Sequence, residues 1–137
     1  MIPWKDWGKR LYFFDGAMGT MLQQAGLGPG EKPELWNLTH PQVVQSIHGA
    51  YLDAGVDLLK SNTFGANRLK LQEQTVPVIE AGVRLARQAL AQAGREGYVA
   101  MDIGPTGKLL QPLGDLSFAG VYHLFAEMAR AGEMAGA

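Results

Sequence analysis

Leu11-Tyr12-Phe13-Phe14-Asp15-Gly16-Ala17-Met18-Gly19-Thr20 is the stretch whose reading decides the fold. Four aliphatic or aromatic residues suit a strand buried on both faces, and they end abruptly in a carboxylate. An acid directly behind such a run has no apolar reason to be there. Gly16 lets the backbone turn or approach a ligand closely. The pattern is that of a parallel strand delivering Asp15 to a site at its carboxyl end. The alternative is an Asp15 that merely caps the next helix.

The same grammar recurs twice. Val56-Asp-Leu-Leu-Lys-Ser61-Asn62-Thr63-Phe64-Gly65 is a second apolar run ending in polar residues and a glycine. Tyr98-Val-Ala-Met-Asp102-Ile-Gly104-Pro105-Thr106-Gly107 is a third. Roughly forty residues separate the first two and roughly thirty-five the second pair, enough for helical crossovers. Three strand–loop–helix units imply an α/β fold whose strands pair in parallel through right-handed crossovers.

Helix signals fill the intervals. Thr39-His40-Pro41-Gln42 reads as a capping box, with Val43, Val44, Ile47, Tyr51 and Ala54 recurring behind it and Gly55 as the stop. His48 falls off that stripe and is expected at a solvated edge. Thr75-Val76-Pro77 opens a second helix with Ile79, Val83, Ala86 and Leu90 on one face, ending at Gly94. Ser117 caps a third, carrying Val121, Leu124, Phe125 and Met128. One apolar stripe per helix predicts helices that coat the strands. Tyr51–Asp57, which closes a helix and leads into a strand, is echoed weakly by Glu133–Ala137. A fourth strand is expected beyond that echo, so three parallel strands would leave two open edges.

Composition narrows the function. With 137 residues, 47% hydrophobic and 18% charged, the chain is expected to be one globular domain. Its formal charge of -1 gives no electrostatic reason to expect nucleic acid or an anionic membrane as partner. It contains no cysteine, hence no disulfide and no thiolate metal site. Met1–Arg10 lacks a long apolar signal segment and no stretch approaches a membrane span, so a cytoplasmic protein is expected.

Taken in order, Asp15-Gly-Ala-Met-Gly-Thr20-Met-Leu-Gln, Trp36-Asn-Leu-Thr39-His-Pro41, Ile47-His48, Tyr51-Leu-Asp-Ala-Gly55-Val-Asp57, Ser61-Asn-Thr-Phe-Gly-Ala-Asn67 and Gly104-Pro-Thr-Gly-Lys-Leu-Leu-Gln-Pro112-Leu-Gly114 closely resemble the homocysteine S-methyltransferase family. The likeness is greatest to the amino-terminal domain of its cobalamin-dependent branch and runs from about Leu11 to Ala137. It implies a (β/α)8 TIM barrel with its site at the carboxyl ends of the strands, of which residues 1–137 would be the first three βα units. It also implies L-homocysteine as substrate, its thiol activated by zinc before accepting a methyl group.

Carried over by position, Asp15 would accept from the substrate's ammonium group. The backbone N–H of Gly16 and the hydroxyl of Thr63 would hold its carboxylate, with Ser61 and Asn62 shaping the same rim. Family members more often have Thr where this chain has Ser61, a change that retains a hydroxyl. Thr63 reads equally as a cap on the loop before the next helix, and Asn67 as a loop hydrogen-bonder. Asp102 ends the third strand, as a possible site residue or as a brace for the following loop. Gly104-Pro-Thr-Gly107-Lys108 is not a phosphate loop: only two residues separate the glycines, and Leu109 follows the lysine. Pro105 and Pro112 would stiffen a long rim loop.

The departure from the family is large. The resemblance implies three zinc-binding cysteines in the later part of the barrel and a further acid on its fourth strand, and none of these is present. His40, His48 and His123 lie on or beside helices, so no metal site is expected here. Two functions of different class follow. One is the amino-terminal part of a homocysteine methyltransferase, inactive alone, with zinc and methylcobalamin implied only for the complete enzyme. The other is a non-catalytic α/β module acting through self-association or a partner at its open sheet edges. The methyl donor stays open between methylcobalamin, betaine and S-methylmethionine, the Gly104–Gly114 loop looking most like the cobalamin-dependent branch.

Overall fold

In the computed structural model, which describes residues 8–137, the chain builds helices α1 (Met18–Gln24), α2 (Trp36–Thr39), α3 (Pro41–Asp53), α4 (Arg68–Leu71), α5 (Thr75–Gln92) and α6 (Phe118–Ala135). Strand β1 (Leu58–Lys60) lies between α3 and α4 in sequence, and β2 (Tyr98–Ala100) between α5 and α6. The segment Met1–Trp7, part of the stretch read above as lacking a signal sequence, falls outside the described residues. Among the described residues no helix is long and apolar enough to cross a membrane.

β1 and β2 pair in parallel, Leu58 with Tyr98 and Lys60 with Ala100. The first expected strand is shorter than its sequence suggests. Leu11–Phe14 contributes only a parallel bridge of Phe14 to Leu58, with Asp57 and Leu58 N–H both donating to Phe13 O. The parallel order is nevertheless the expected one, with β1 in the middle. Leu11, Phe13 and Phe14 are 78%, 58% and 54% exposed, so this run is not buried on both faces. It has β1 on one side, and among the described residues it has no second partner strand.

The helices pack against these strands and one another in three clusters. Leu52, Val56, Leu59, Ala86, Ala89 and Leu90 join α3, β1 and α5. Leu22, Trp36, Val44, Ile47 and Leu85 join α1, α2, α3 and α5. Ala66, Leu71, Val78, Ile79, Met128 and Ala131 close α5 against α6. α5 therefore does more than coat the strands. Its expected face of Ile79, Val83, Ala86 and Leu90 is buried, and so are Val78, Ala81, Gly82, Leu85 and Ala89 on flanking positions.

Helix ends follow local chemistry. α3, α5 and α6 each stop at a glycine in the left-handed region, Gly55 (φ 96°), Gly94 (φ 61°) and Gly136 (φ 95°). The following N–H then reaches back five residues: Val56 to Tyr51 O, Arg95 to Leu90 O, Ala137 to Gly132 O. The echo between Tyr51–Asp57 and Glu133–Ala137 is this shared closure. Ser117 caps α6 as expected, its Oγ accepting from Gly120 N–H at 3.0 Å.

Two helix readings need correction. Pro41 occupies the first position of α3, which makes His40 the cap residue; its side chain makes no capping hydrogen bond, so the expected box does not form. Thr39 instead finishes α2, its hydroxyl donating to Leu35 O at 3.2 Å. His48 is fully buried, not solvated. It lies on the i, i+4 row from Val44 to Leu52, both buried, so the inward face of α3 is centred one position later than the apolar residues alone suggested.

Candidate functional site

Asp15 follows the Phe14 bridge, and its own N–H donates to Leu58 O at 3.0 Å, which fixes the residue against β1. Its side chain turns back onto the same strand. Oδ2 accepts the Lys60 N–H at 3.0 Å, and Oδ1 stands 3.9 Å from Lys60 Nζ. Asp15 is 6% exposed, and Oδ1 is buried without a hydrogen-bond partner. Burial pushes the carboxyl up to about 6, against the pull of the Lys60 N–H and charge; the negative charge of Asp102 adds to the rise. Gly16 leaves room for Tyr51: a Cβ there would lie 2.7 Å from Tyr51 Oη, which donates to Ala17 O.

The end of β1 turns into a loop whose polar side chains are buried. Ser61, Asn62, Thr63 and Asn67 are all buried. Thr63 Oγ1 donates to Asp102 O at 2.8 Å, so the 2.7 Å contact between the hydroxyls has Ser61 as donor. Ser61 Oγ in turn accepts from Asp102 N–H at 3.3 Å. These three bonds form a closed ring that ties the end of β1 to the residue two places after β2. Asp102 thus braces the loop through its backbone, while its half-buried side chain stays at the rim.

Asn62 is committed elsewhere. Its Nδ2 donates to Pro33 O (2.8 Å) and Asn37 Oδ1 (3.0 Å). Asn37 returns the contact by donating to Asn62 O (2.8 Å) and to Val78 O (3.1 Å). Asn67 caps α4 through Lys70 N–H, a loop hydrogen-bonder as expected, with its Nδ2 buried and unpartnered. Gly104 N–H donates to Phe64 O at 2.9 Å, which docks the Gly104–Gly114 rim loop on the end of the β1 loop.

A cleft of about 210 Å³ opens at this end of the strands, lined by Ser61, Asn62, Thr63, Phe64 and Asp102 together with Met18, Gly19, Pro33 and Glu34. The structure so brings Ser61, Asn62, Thr63 and Asp102 to one wall. Asp15 and Gly16 lie beside it at the preceding strand end and are not part of its lining. Glu34 and Asn37 were missed by sequence reasoning. The available signal was a pair of polar residues three apart flanking Leu35 and Trp36, which places both on one side of a helical turn.

The family model for homocysteine S-methyltransferase matches residues 12–137. Methionine synthases of Mycobacterium tuberculosis (strain ATCC 25618 / H37Rv) and Mycobacterium leprae (strain TN) are each 33% identical in an alignment that covers 88% of this chain and 11% of theirs. Among solved structures, the metallated form of the homocysteine methyltransferase MmuM from Escherichia coli superposes with a TM-score of 0.75 at 25% identity, over 94% of this chain and 52% of that one. Its apo form gives 0.70 at 27% identity, over 93% and 46%. The chain thus spans about a tenth of the curated relatives and half of the structural neighbours.

Proposed function

Because the chain belongs to the homocysteine S-methyltransferase family, we infer that residues 11–137 are the first three βα units of a (β/α)8 barrel and carry one part of a pocket for L-homocysteine. The observation that supports this most is the convergence of Asp15, the Ser61–Thr63 loop and Asp102 at the carboxyl ends of consecutive parallel segments, where barrels place their chemistry.

The substrate's amino-acid end is a zwitterion and needs an acceptor and donors. Asp15 supplies the acceptor: Oδ1 is buried and has no hydrogen-bond partner, and an ammonium group there would satisfy it and stabilise the ionised carboxylate. Gly16 N–H and Thr63 hold the carboxylate in this reading. Thr63 does so by redirecting the hydroxyl that now donates to Asp102 O. Ser61 and Asn62 hold the rim in shape through bonds within the protein, and Asp102 faces the substrate's outer side.

A thiol with a pKa of about 8.5 is mostly protonated at neutral pH, and a metal that binds it as thiolate makes it the stronger nucleophile. The residues of this chain do not fit that task. It has no cysteine, and among the described residues no three His, Asp or Glu side chains converge. His40 stacks on Trp36 and His48 is buried within α3. In this reading Asp15, Gly16 and Thr63 therefore bind and orient the amino-acid end only. Zinc, and methylcobalamin as donor, belong in this reading to family regions other than these 137 residues.

Titrating the isotope-labelled chain with L-homocysteine tests the reading by NMR. Amide shifts should move at Asp15, Gly16 and Ser61–Thr63, and Asp15→Asn should weaken binding about tenfold or more. A response confined to other regions would refute it, and methyl transfer by the 137-residue chain alone would refute the inactive-part assignment.

A second reading, association through the sheet edges, is favoured by a cleft of about 630 Å³ lined by Leu11, Tyr12, Phe14, Leu58, Tyr98 and Val99. It requires a stable oligomer with these residues covered. A monodisperse monomer in light scattering would count against it.

A further inference from the structure

Four hydrogen bonds tie the turn at Pro33–Asn37 to the loop at Ser61–Gly65. Three are the Asn62 and Asn37 contacts described above. The fourth is made by a carboxylate: Glu34 Oε1 accepts the Gly65 N–H at 2.6 Å. Glu34 is 7% exposed, an expensive place for an acid unless its charge is satisfied. A short charge-assisted bond to a backbone N–H is one way of satisfying it. Gly65 is part of the same arrangement, because a Cβ there would overlap the Glu34 carboxylate. The bonded loop carries Thr63, and Glu34 lines the cleft that Thr63 and Asp102 line.

We propose that Glu34 is a positioning residue for the amino-acid site: by holding the Gly65 N–H it fixes the loop that presents Thr63 to the substrate's carboxylate. The proposal rests on the homocysteine reading for its ligand, and on the bond geometry alone for the clamp. Glu34 acts through the loop and not as a charge on the substrate. An acceptor oxygen without charge should therefore serve nearly as well, which separates the two roles.

The experiment measures amide hydrogen exchange in the ligand-free chain and L-homocysteine affinity for the wild type, Glu34→Ala and Glu34→Gln. Glu34→Ala should accelerate exchange at Gly65 about tenfold or more and weaken homocysteine about tenfold. Glu34→Gln should restore both to within about threefold of wild type, since its amide oxygen can accept the same N–H. If Glu34→Ala does not fold, Glu34→Asp, which withdraws the acceptor by one methylene, should show the same direction. Unchanged Gly65 exchange in both acceptor-shifted variants would overturn the clamp. Equal loss of affinity in Gln and Ala would overturn positioning in favour of direct charge contact. A wild type that ignores homocysteine would refute the site reading, and the exchange measurement would still decide the clamp.

Discussion

Asp15 is held by the backbone of Lys60 more closely than by its side chain: the Lys60 N–H lies 3.0 Å from Oδ2, whereas Nζ stands 3.9 Å from Oδ1. The ion pair is loose, so burial dominates and the carboxyl titrates at about 6.

A raised carboxyl pKa means that the folded state binds this proton more tightly than the unfolded chain. Its contribution to stability is complete below about pH 4 and is lost as pH rises through about 6. Asp15→Asn removes the buried charge, so its urea midpoint should exceed that of wild type at pH 7.5 and match it near pH 4. An equal shift at both pH values would show that ionisation is not the source. Homocysteine, as an ammonium ligand, should bind more weakly as pH falls below about 6.

His48 should titrate in the opposite sense. Burial lowers its pKa to about 4, and neither ring nitrogen has a partner. The unfolded chain then takes up the proton first, and stability falls as pH drops from about 6.5 toward 4. His48→Leu should unfold at higher urea than wild type at pH 5, by about 1–2 kcal/mol, with a smaller gain at pH 8. A gain independent of pH would mean that packing alone is responsible.

Thr63→Val keeps the shape of the side chain and breaks the hydroxyl ring, leaving Ser61 Oγ and Asp102 O without a partner from position 63. The expected loss is about 1–3 kcal/mol in urea unfolding, with Thr63→Ser losing less. Equal stability for Val and wild type would show that the ring is not a structural brace.

Gly82→Ala should destabilise although alanine favours helices by about 1 kcal/mol over glycine. The added Cβ would lie 2.7 Å from Asn37 Nδ2 and 3.0 Å from Thr63 Cγ2. Asn37 cannot swing away, because that nitrogen donates to both Asn62 O and Val78 O. A net loss of about 1–3 kcal/mol is expected; a more stable variant would show that Asn37 is free to move.

Much of the fold was legible from local pattern. Ser61–Thr63 and Asp102 line one cleft, with Asp15 beside it at the preceding strand end, and Gly55, Gly94 and Ser117 end or start helices where they were read. The first strand was overread, because an apolar run specifies a strand only where neighbours cover it, and Leu11, Phe13 and Phe14 remain exposed. The capping box was misread because Pro41 suits the first turn whether Thr39 or His40 is the cap, and Thr39 is taken up as the last residue of α2.

The order of residues by itself determined the parallel strand order, the helix stops and the set of polar groups at the strand ends, since these depend on backbone preferences and neighbours a few positions apart. Only the tertiary structure decided which polar groups are buried and with whom. Glu34 meets Gly65 across 31 positions and Asn37 meets Val78 across 41. A hydrogen bond between residues so far apart leaves no periodic trace in either segment, because it is created when the helices and strands pack.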